Sequence, residues 1–242
     1  MQKYKLSIIT TIDLNVLVLH KFLDYMISFN KNLVAGTNVY LTDSLNIFSE
    51  DDFIALKKKY HQINLVYVKN FGTKDQILSI AKTIGFTVDD LILIIDPDMY
   101  ESLSYLDAFL CQINSGANVV YGSRIYRNDV SWIRNLLSKV YNKLCSLIVG
   151  VDISDLNTPM ILLTRNASKL LRMHSSTFSA RFYIAHKYKD TLAEIFIKTS
   201  SDLKKKSNYS FFSLVRVGAV RYIELILFAI FIYSRFIKKN KW

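Results

Sequence analysis

The chain has 242 residues, 51% of them hydrophobic and 21% charged, enough to bury one sizeable core but a squeeze for two compact domains. Only 7 Gly and 2 Pro occur, with no Ser/Gly/Pro-rich stretch and no fixed-period repeat, which excludes an internal linker and a low-complexity segment. Thirty-one basic against 20 acidic residues give a formal charge of +11, which suits an anionic partner such as phospholipid headgroups or a phosphorylated substrate. The two Cys and four His lack zinc-finger spacing and no aromatic platform is present, so nucleic acid is not the expected partner.

The chain starts Met-Gln-Lys-Tyr-Lys, and the short apolar run Leu6 to Ile9 that follows does not have the form of a signal peptide. Cys111 and Cys145 sit singly among apolar residues, the pattern of buried free thiols in a reducing compartment. Short apolar runs then alternate with helix-like segments, the signature of β-α units and a mostly parallel sheet. Strands are expected at Lys5 to Thr10, Asn38 to Thr42, Ile63 to Val68, Leu91 to Ile95 and Asn118 to Tyr121. Leu91 to Ile95 is apolar at every position, as a central strand covered on both faces requires. Between the second and third strands, Ser49-Glu-Asp-Asp52 reads as a capping box and Lys57-Lys58-Lys59 closes the helix, both in accord with the helix dipole.

From Arg134 to Val149 the spacing predicts an amphipathic basic helix, with Leu137, Val140, Tyr141, Leu144 and Ile148 on one stripe and Arg134, Lys139 and Lys143 elsewhere. The expected use of that stripe is packing on the core. The region from Phe211 to Ile237 is densely apolar and is followed by Lys238, Lys239, Lys241 and Trp242. Its uninterrupted stretch, Leu225 to Tyr233, is short for a hydrocarbon layer of roughly 30 Å, and Arg221 and Glu224 are costly at that depth. The expectation is therefore a domain over 1–210 and a membrane-associating helical segment over 211–242 that lies in the interface, attached peripherally to the inner, cytoplasmic face. A buried terminal helix or a homo-oligomer interface remains the alternative use of the same residues.

Asp96 and Asp98 follow the most buried strand, so two carboxylates are expected at the carboxyl edge of the sheet, where open α/β folds bind ligands. Such a pair suits Mg²⁺ or Mn²⁺ holding a diphosphate, because these ions take hard oxygen ligands and leave positions for substrate. Asp43 closes a second strand and Asn70-Phe71-Gly72 a third. Tyr121-Gly122-Ser123-Arg124 follows a fourth as a turn with a guanidinium suited to bidentate phosphate contact.

The order Asp43, Asn70-Phe71-Gly72, Asp96-Pro97-Asp98, Gly122-Ser123-Arg124, Arg134 and Asp155-Leu156-Asn157-Thr158 resembles family 2 glycosyltransferases. The likeness is to the dolichol-phosphate mannosyltransferase-like branch that loads sugars onto polyprenyl phosphates, and it spans roughly residues 5 to 215. The resemblance implies a GT-A fold, a mostly parallel twisted sheet flanked by helices, with a nucleotide-diphospho-sugar donor, a divalent metal and inversion at the anomeric carbon. It places Asp43 at the nucleotide base, Asp96 by the ribose and diphosphate, Asp98 on the metal, and Thr11, Asp13, Asn70 and Gly72 around the donor. Ser123, Arg124 and Arg134 would receive the acceptor phosphate.

The chain departs from the family pattern at Thr10-Thr11-Ile12-Asp13, where a Pro-containing turn is usual, at Tyr100, where Gln is common, and at Asp202 to Asn208, where a Gly-x-Ser-Lys segment is expected. Two alternatives follow. A saccharide hydroxyl in surface-polysaccharide assembly could be the acceptor, with Asp155 as the base such a hydroxyl demands. A membrane-bound scaffold of weakened activity is the other.

Overall fold

The computed structural model describes residues 4–12, 15–29, 36–69, 76–125, 132–173, 177–198, 222–223 and 225–230, with the backbone alone at 76–77, 132–134 and 177–179. The first half folds as alternating β-α units: β1 (Leu6–Thr11), α1 (Val16–Phe29), β2 (Thr37–Asp43), α2 (Glu50–Lys59), β3 (Asn64–Lys69), α3 (Gln76–Ile84) and β4 (Leu91–Ile95). A 3-10 stretch, Pro97–Tyr105, and α4 (Leu106–Asn114) lead to β5 (Val119–Arg124) and α5 (Trp132–Val149). The chain continues through β6 (Met160–Thr164), α6 (Arg165–Met173), α7 (Thr177–Lys187) and β7 (Leu192–Ile197).

The described strands form one sheet in the order β3-β2-β1-β4-β6-β5-β7. β6 runs antiparallel to both β4 and β5, and the other pairings are parallel. This is the α/β architecture expected from the sequence. Two strands, β6 and β7, were not anticipated. β6 is a short apolar run of the kind that periodicity alone does not separate from a helix segment, and β7 is a half-exposed edge strand that buries only Ile197 fully.

Strand alternation divides the core in two, because successive side chains leave a strand on opposite faces. Leu91, Leu93 and Ile95 of β4 join Phe22, Leu23, Met26, Leu103 and Phe109 on one face. Ile92 and Ile94 join Ile80, Cys145, Val149, Leu171 and Phe182 on the other. All five residues of β4 are therefore buried, which is why that strand reads as an unbroken apolar run.

The capping box forms as read: the Asp52 amide donates to Ser49 Oγ at 3.1 Å and the Ser49 amide returns a bond to the Asp52 carboxylate at 2.9 Å. Such a cap contributes about 1 kcal/mol.

Helix α5 corrects an expectation. Of the residues assigned to a core-facing stripe, Tyr141 and Ile148 pack against the core, but Leu137, Val140 and Leu144 are exposed, and the buried positions are Asn142, Cys145, Ser146 and Val149. Near the C-terminus, Leu225 and Phe228 are buried, with the Phe228 ring 5.6 Å from that of Phe182, while Ile226, Leu227 and Ile230 face outward. Residues 225–230 are thus seated on the domain through one face. Among the described residues no helix is long and apolar enough to cross a membrane.

Candidate active site

Because β6 is antiparallel to its neighbours, its amino end lies at the same sheet edge as the carboxyl ends of β1, β2, β4 and β5. That single reversal brings the loop before β6, residues 154–159, to the expected ligand edge. Connections run from β1 outward to β2 and β3 on one side, while β4 lies on the other side of β1, so Thr11 and Asp96 flank a topological switch point.

Asp96 leaves β4 into the 3-10 stretch and is anchored through its backbone. Its amide donates to Pro159 O at 3.0 Å and its carbonyl accepts from the Met99 amide at 2.9 Å. It occupies the N-cap position, yet its side chain makes no capping hydrogen bond. Pro97 supplies the preset φ of a first helical position, needs no acceptor and is buried. Asp98 sits in the first turn and, like Asp96, is partly exposed.

Asp43 stands on the same edge two strands away, fully buried and committed to the protein. Its carboxylate accepts from the amides of Leu45 and Ile47 at 3.1 Å, from the Phe48 amide at 3.0 Å and from the Tyr67 hydroxyl at 2.9 Å. Four donors fill the acceptor positions of one carboxylate. In this arrangement Asp43 shapes the loop over residues 44–48 and presents no open oxygen to a base. Burial, then the bond to Asp43, pushes the Tyr67 hydroxyl above the usual tyrosine range and keeps it a donor.

The acceptor side is rearranged relative to the sequence reading. Gly122, Ser123 and Arg124 belong to β5 itself, paired with Ile195, Phe196 and Ile197 of β7, and do not form a turn. Gly122 is dictated by packing: a Cβ there would lie 3.0 Å from the Phe109 ring, 3.1 Å from Ile197 and 3.2 Å from the Met160 carbonyl. Ser123 corrects a second expectation. Its hydroxyl is fully buried and donates to the Glu194 carboxylate, so it is not turned toward an acceptor phosphate. Glu194 also accepts from the Ser154 amide at 2.7 Å and so fastens the 154–159 loop to the sheet. No sequence motif marked Glu194, because it lies in a strand that was not anticipated.

Arg124 Nε donates to Asp155 Oδ2 at 2.7 Å, with the two side chains 17% and 8% exposed. Asp155 Oδ1 is buried without a hydrogen-bond partner. The bond to Asp155 engages Nε, and a guanidinium carries further N–H donors with which it can meet a second anion. Thr158 ties the loop to β5 by donating to the Gly122 carbonyl, and Arg181 of α7 donates to the Thr158 carbonyl at 3.0 Å. Arg181 is a second cation behind the loop that nothing in the sequence pattern singled out.

The structure thus gathers Thr11, Asp96, Asp98, Arg124 and Asp155 along one edge. Asp13, Asn70 and Gly72 lie outside the described residues, as does the side chain of Arg134, whose backbone falls in the first turn of α5. Among the described residues no group of three or more His, Cys, Asp or Glu converges on a point that could hold a metal ion. A divalent ion at Asp96 and Asp98 would take one or two carboxylates from the protein and the rest of its shell from phosphate and water, the usual manner for Mg²⁺. The donor set fits that use.

No protein-family profile matches the chain, and no curated protein matches it in sequence. Solved structures do match in shape. Glucosyl-3-phosphoglycerate synthase from Mycobacterium tuberculosis, in complex with Mn²⁺, UDP-glucose and phosphoglyceric acid, aligns with TM-score 0.65 at 11% identity, over 93% of this chain and 80% of that one. Mannosyl-3-phosphoglycerate synthase from Rubrobacter xylanophilus aligns with TM-score 0.63 at 12% identity, over 99% and 76%. A mannosyltransferase from Pyrobaculum calidifontis, in complex with GDP-mannose and Mn²⁺, aligns with TM-score 0.58 at 12% identity, over 95% and 65%. At these identities the likeness establishes the fold: the chain has the GT-A type architecture of nucleotide-diphospho-sugar transferases.

Proposed function

We propose that the protein is an inverting, metal-dependent glycosyltransferase of family 2 type that moves a sugar from a nucleotide-diphospho-sugar to a polyprenyl phosphate at the cytoplasmic face of a membrane. The observation that carries the reading is the placement of Asp96 and Asp98, both partly exposed, where β4 ends at the switch point of a GT-A sheet. Mn²⁺ appears with a nucleotide sugar in the M. tuberculosis and P. calidifontis complexes. Here Asp98 and Asp96 would hold Mg²⁺ or Mn²⁺, which when bound neutralises the charge that gathers on a departing diphosphate.

In the proposed reaction a phosphate oxygen of the acceptor attacks the anomeric carbon, the bond from that carbon to the diphosphate breaks, and the nucleoside diphosphate leaves with the bonding pair. The acceptor is already an anion and needs no base. Its requirement is a cation held in position. Arg124 would meet that requirement: Asp155 holds its Nε, while Glu194 and Thr158 hold the loop that carries Asp155. A hydroxyl acceptor would instead call on Asp155 as base, and that carboxylate is buried and given to Arg124. Attachment to the inner membrane face is proposed through the 211–242 segment, whose Ile226, Leu227 and Ile230 are exposed.

The phosphoglyceric acid in the M. tuberculosis neighbour makes a small phosphorylated acceptor the second reading. Purified full-length protein should release nucleoside diphosphate from one member of a panel of UDP- and GDP-sugars when given Mn²⁺ or Mg²⁺. A polyprenyl phosphate should accelerate that release, and phosphoglycerate should not. Acceleration by phosphoglycerate alone would replace the lipid acceptor by the small one. No release from any donor would leave the scaffold as the surviving reading.

A further inference from the structure

Helix α5 wears its amphipathicity inside out. At 100° per residue, Leu136, Leu137, Val140, Leu144 and Leu147 fall within one arc of about 100°, and the inward residues Asn142, Cys145, Ser146 and Val149 occupy the opposite arc. The aliphatic arc is the exposed one: Leu137 is 62% and Leu147 67% exposed, whereas Cys145 and Val149 are fully covered. A helix whose outer face met only water would carry polar side chains there, since each aliphatic side chain left out forgoes the gain of burial.

Lys139 and Lys143 are both exposed and share the arc next to the leucines. That arrangement is the one in which lysine stems lie along apolar surface and their ammonium groups reach a phosphate layer. The Tyr141 and Tyr222 rings meet edge to face at 5.3 Å, so the stripe adjoins the terminal helical residues, where Ile223, Ile226, Leu227 and Ile230 are also exposed. The chain then continues through Arg235, Lys238, Lys239 and Lys241.

We infer that α5, together with residues 222–223 and 225–230, is a monotopic docking face that inserts its leucine arc into the headgroup layer of an anionic phospholipid membrane. The inference rests on the membrane-face location proposed above and adds the element that makes the contact. The occupant is argued from charge: an aliphatic arc edged by lysines in a chain of net charge +11 is complementary to a negatively charged lipid surface. The same helix begins eight positions after Arg124 in the chain.

The test compares the full-length protein with Leu137→Glu/Leu144→Glu, Lys139→Gln/Lys143→Gln and a control, Ile54→Glu/Val88→Glu, which alters exposed apolar residues elsewhere. Binding is measured by flotation with phosphatidylcholine vesicles, with and without phosphatidylglycerol, and donor binding by calorimetry with a nucleoside diphosphate and Mn²⁺. The leucine pair should lower vesicle partition by on the order of tenfold or more on both vesicle types. The lysine pair should lower it only on phosphatidylglycerol vesicles and lose its effect in high salt. The control should bind lipid like wild type, and every variant should keep its nucleotide affinity.

Vesicle binding that survives Leu137→Glu/Leu144→Glu would overturn the inference, as would a wild-type dimer in sedimentation that this substitution splits into monomers. Better vesicle binding on removal of residues 199–221 would also overturn it, by showing that those residues cover the face. Loss of nucleotide binding by the wild type would instead remove the proposed activity and leave the lipid contact to be judged on flotation alone.

Discussion

Two strands end in aspartate at the same sheet edge, and the structure gives the two carboxylates opposite occupations. Asp43 at the end of β2 is buried and takes four hydrogen bonds from its own loop and from Tyr67. Asp96 at the end of β4 is partly exposed, fixed by its backbone to Pro159 and Met99, and makes no side-chain cap. Standing at the ligand edge is therefore not enough to make an acidic residue a ligand. What matters is how far the local chain encloses the carboxylate: the loop after β2 folds back over Asp43 and donates to it, whereas Asp96 stays partly exposed at the start of the Pro97 turn.

The comparison sharpens most at Asp98. Asp98→Asn keeps size and turn but loses the charge that competes for a hard cation, so nucleoside diphosphate release should fall by about a hundredfold or more with an unchanged Tm. Retained release under the same metal requirement would make Asp98 a turn residue.

Arg124 comes next. Arg124→Ala should abolish the acceleration by a phosphate acceptor while sparing donor affinity, and should also destabilise by about 3–5 kcal/mol because Asp155 is left buried and unpaired. The double variant Arg124→Ala/Asp155→Ala should recover Tm without recovering transfer. Recovery of transfer would show that Arg124 serves only to neutralise Asp155.

At Asp43 the expected loss is in stability. Asn would turn an amide group toward backbone N–H donors, costing about 2 kcal/mol and lowering Tm by roughly 4–8 °C. A fall in donor affinity with an unchanged Tm would return Asp43 to the nucleotide base. Smallest of all, Ser49→Ala removes one half of the capping box on α2, and melting should come about 2–4 °C earlier with activity intact.

The parallel half of the sheet was legible because each of its strands is a bounded apolar run and its second helix announces both ends, Ser49 to Asp52 and Lys57 to Lys59. The second half was less so. β6 reverses direction, and that reversal is a tertiary fact that carries residues 154–159 to the ligand edge. Ser123 read as a phosphate contact because Glu194, which holds it, lies 71 residues away in an edge strand. The Arg124–Asp155 pair was anticipated as two residues with separate tasks, and only the fold shows them as a unit. The stripe on α5 was only half placed: Tyr141 and Ile148 pack on the core while Leu137, Val140 and Leu144 face outward, because spacing marks an apolar face without saying what covers it.

The central claim is that Asp96 and Asp98 make a metal-dependent diphosphate site. Titration calorimetry of the full-length protein with UDP and with GDP, in Mn²⁺ and in chelator, tests it most directly, with Asp98→Asn run beside the wild type. The account predicts saturable binding of one of the two nucleotides in Mn²⁺, its loss in chelator, and at least about tenfold weaker binding by Asp98→Asn at an unchanged Tm. Binding that is indifferent to both chelator and Asp98→Asn, or no binding of either nucleotide to a folded wild type, would contradict it.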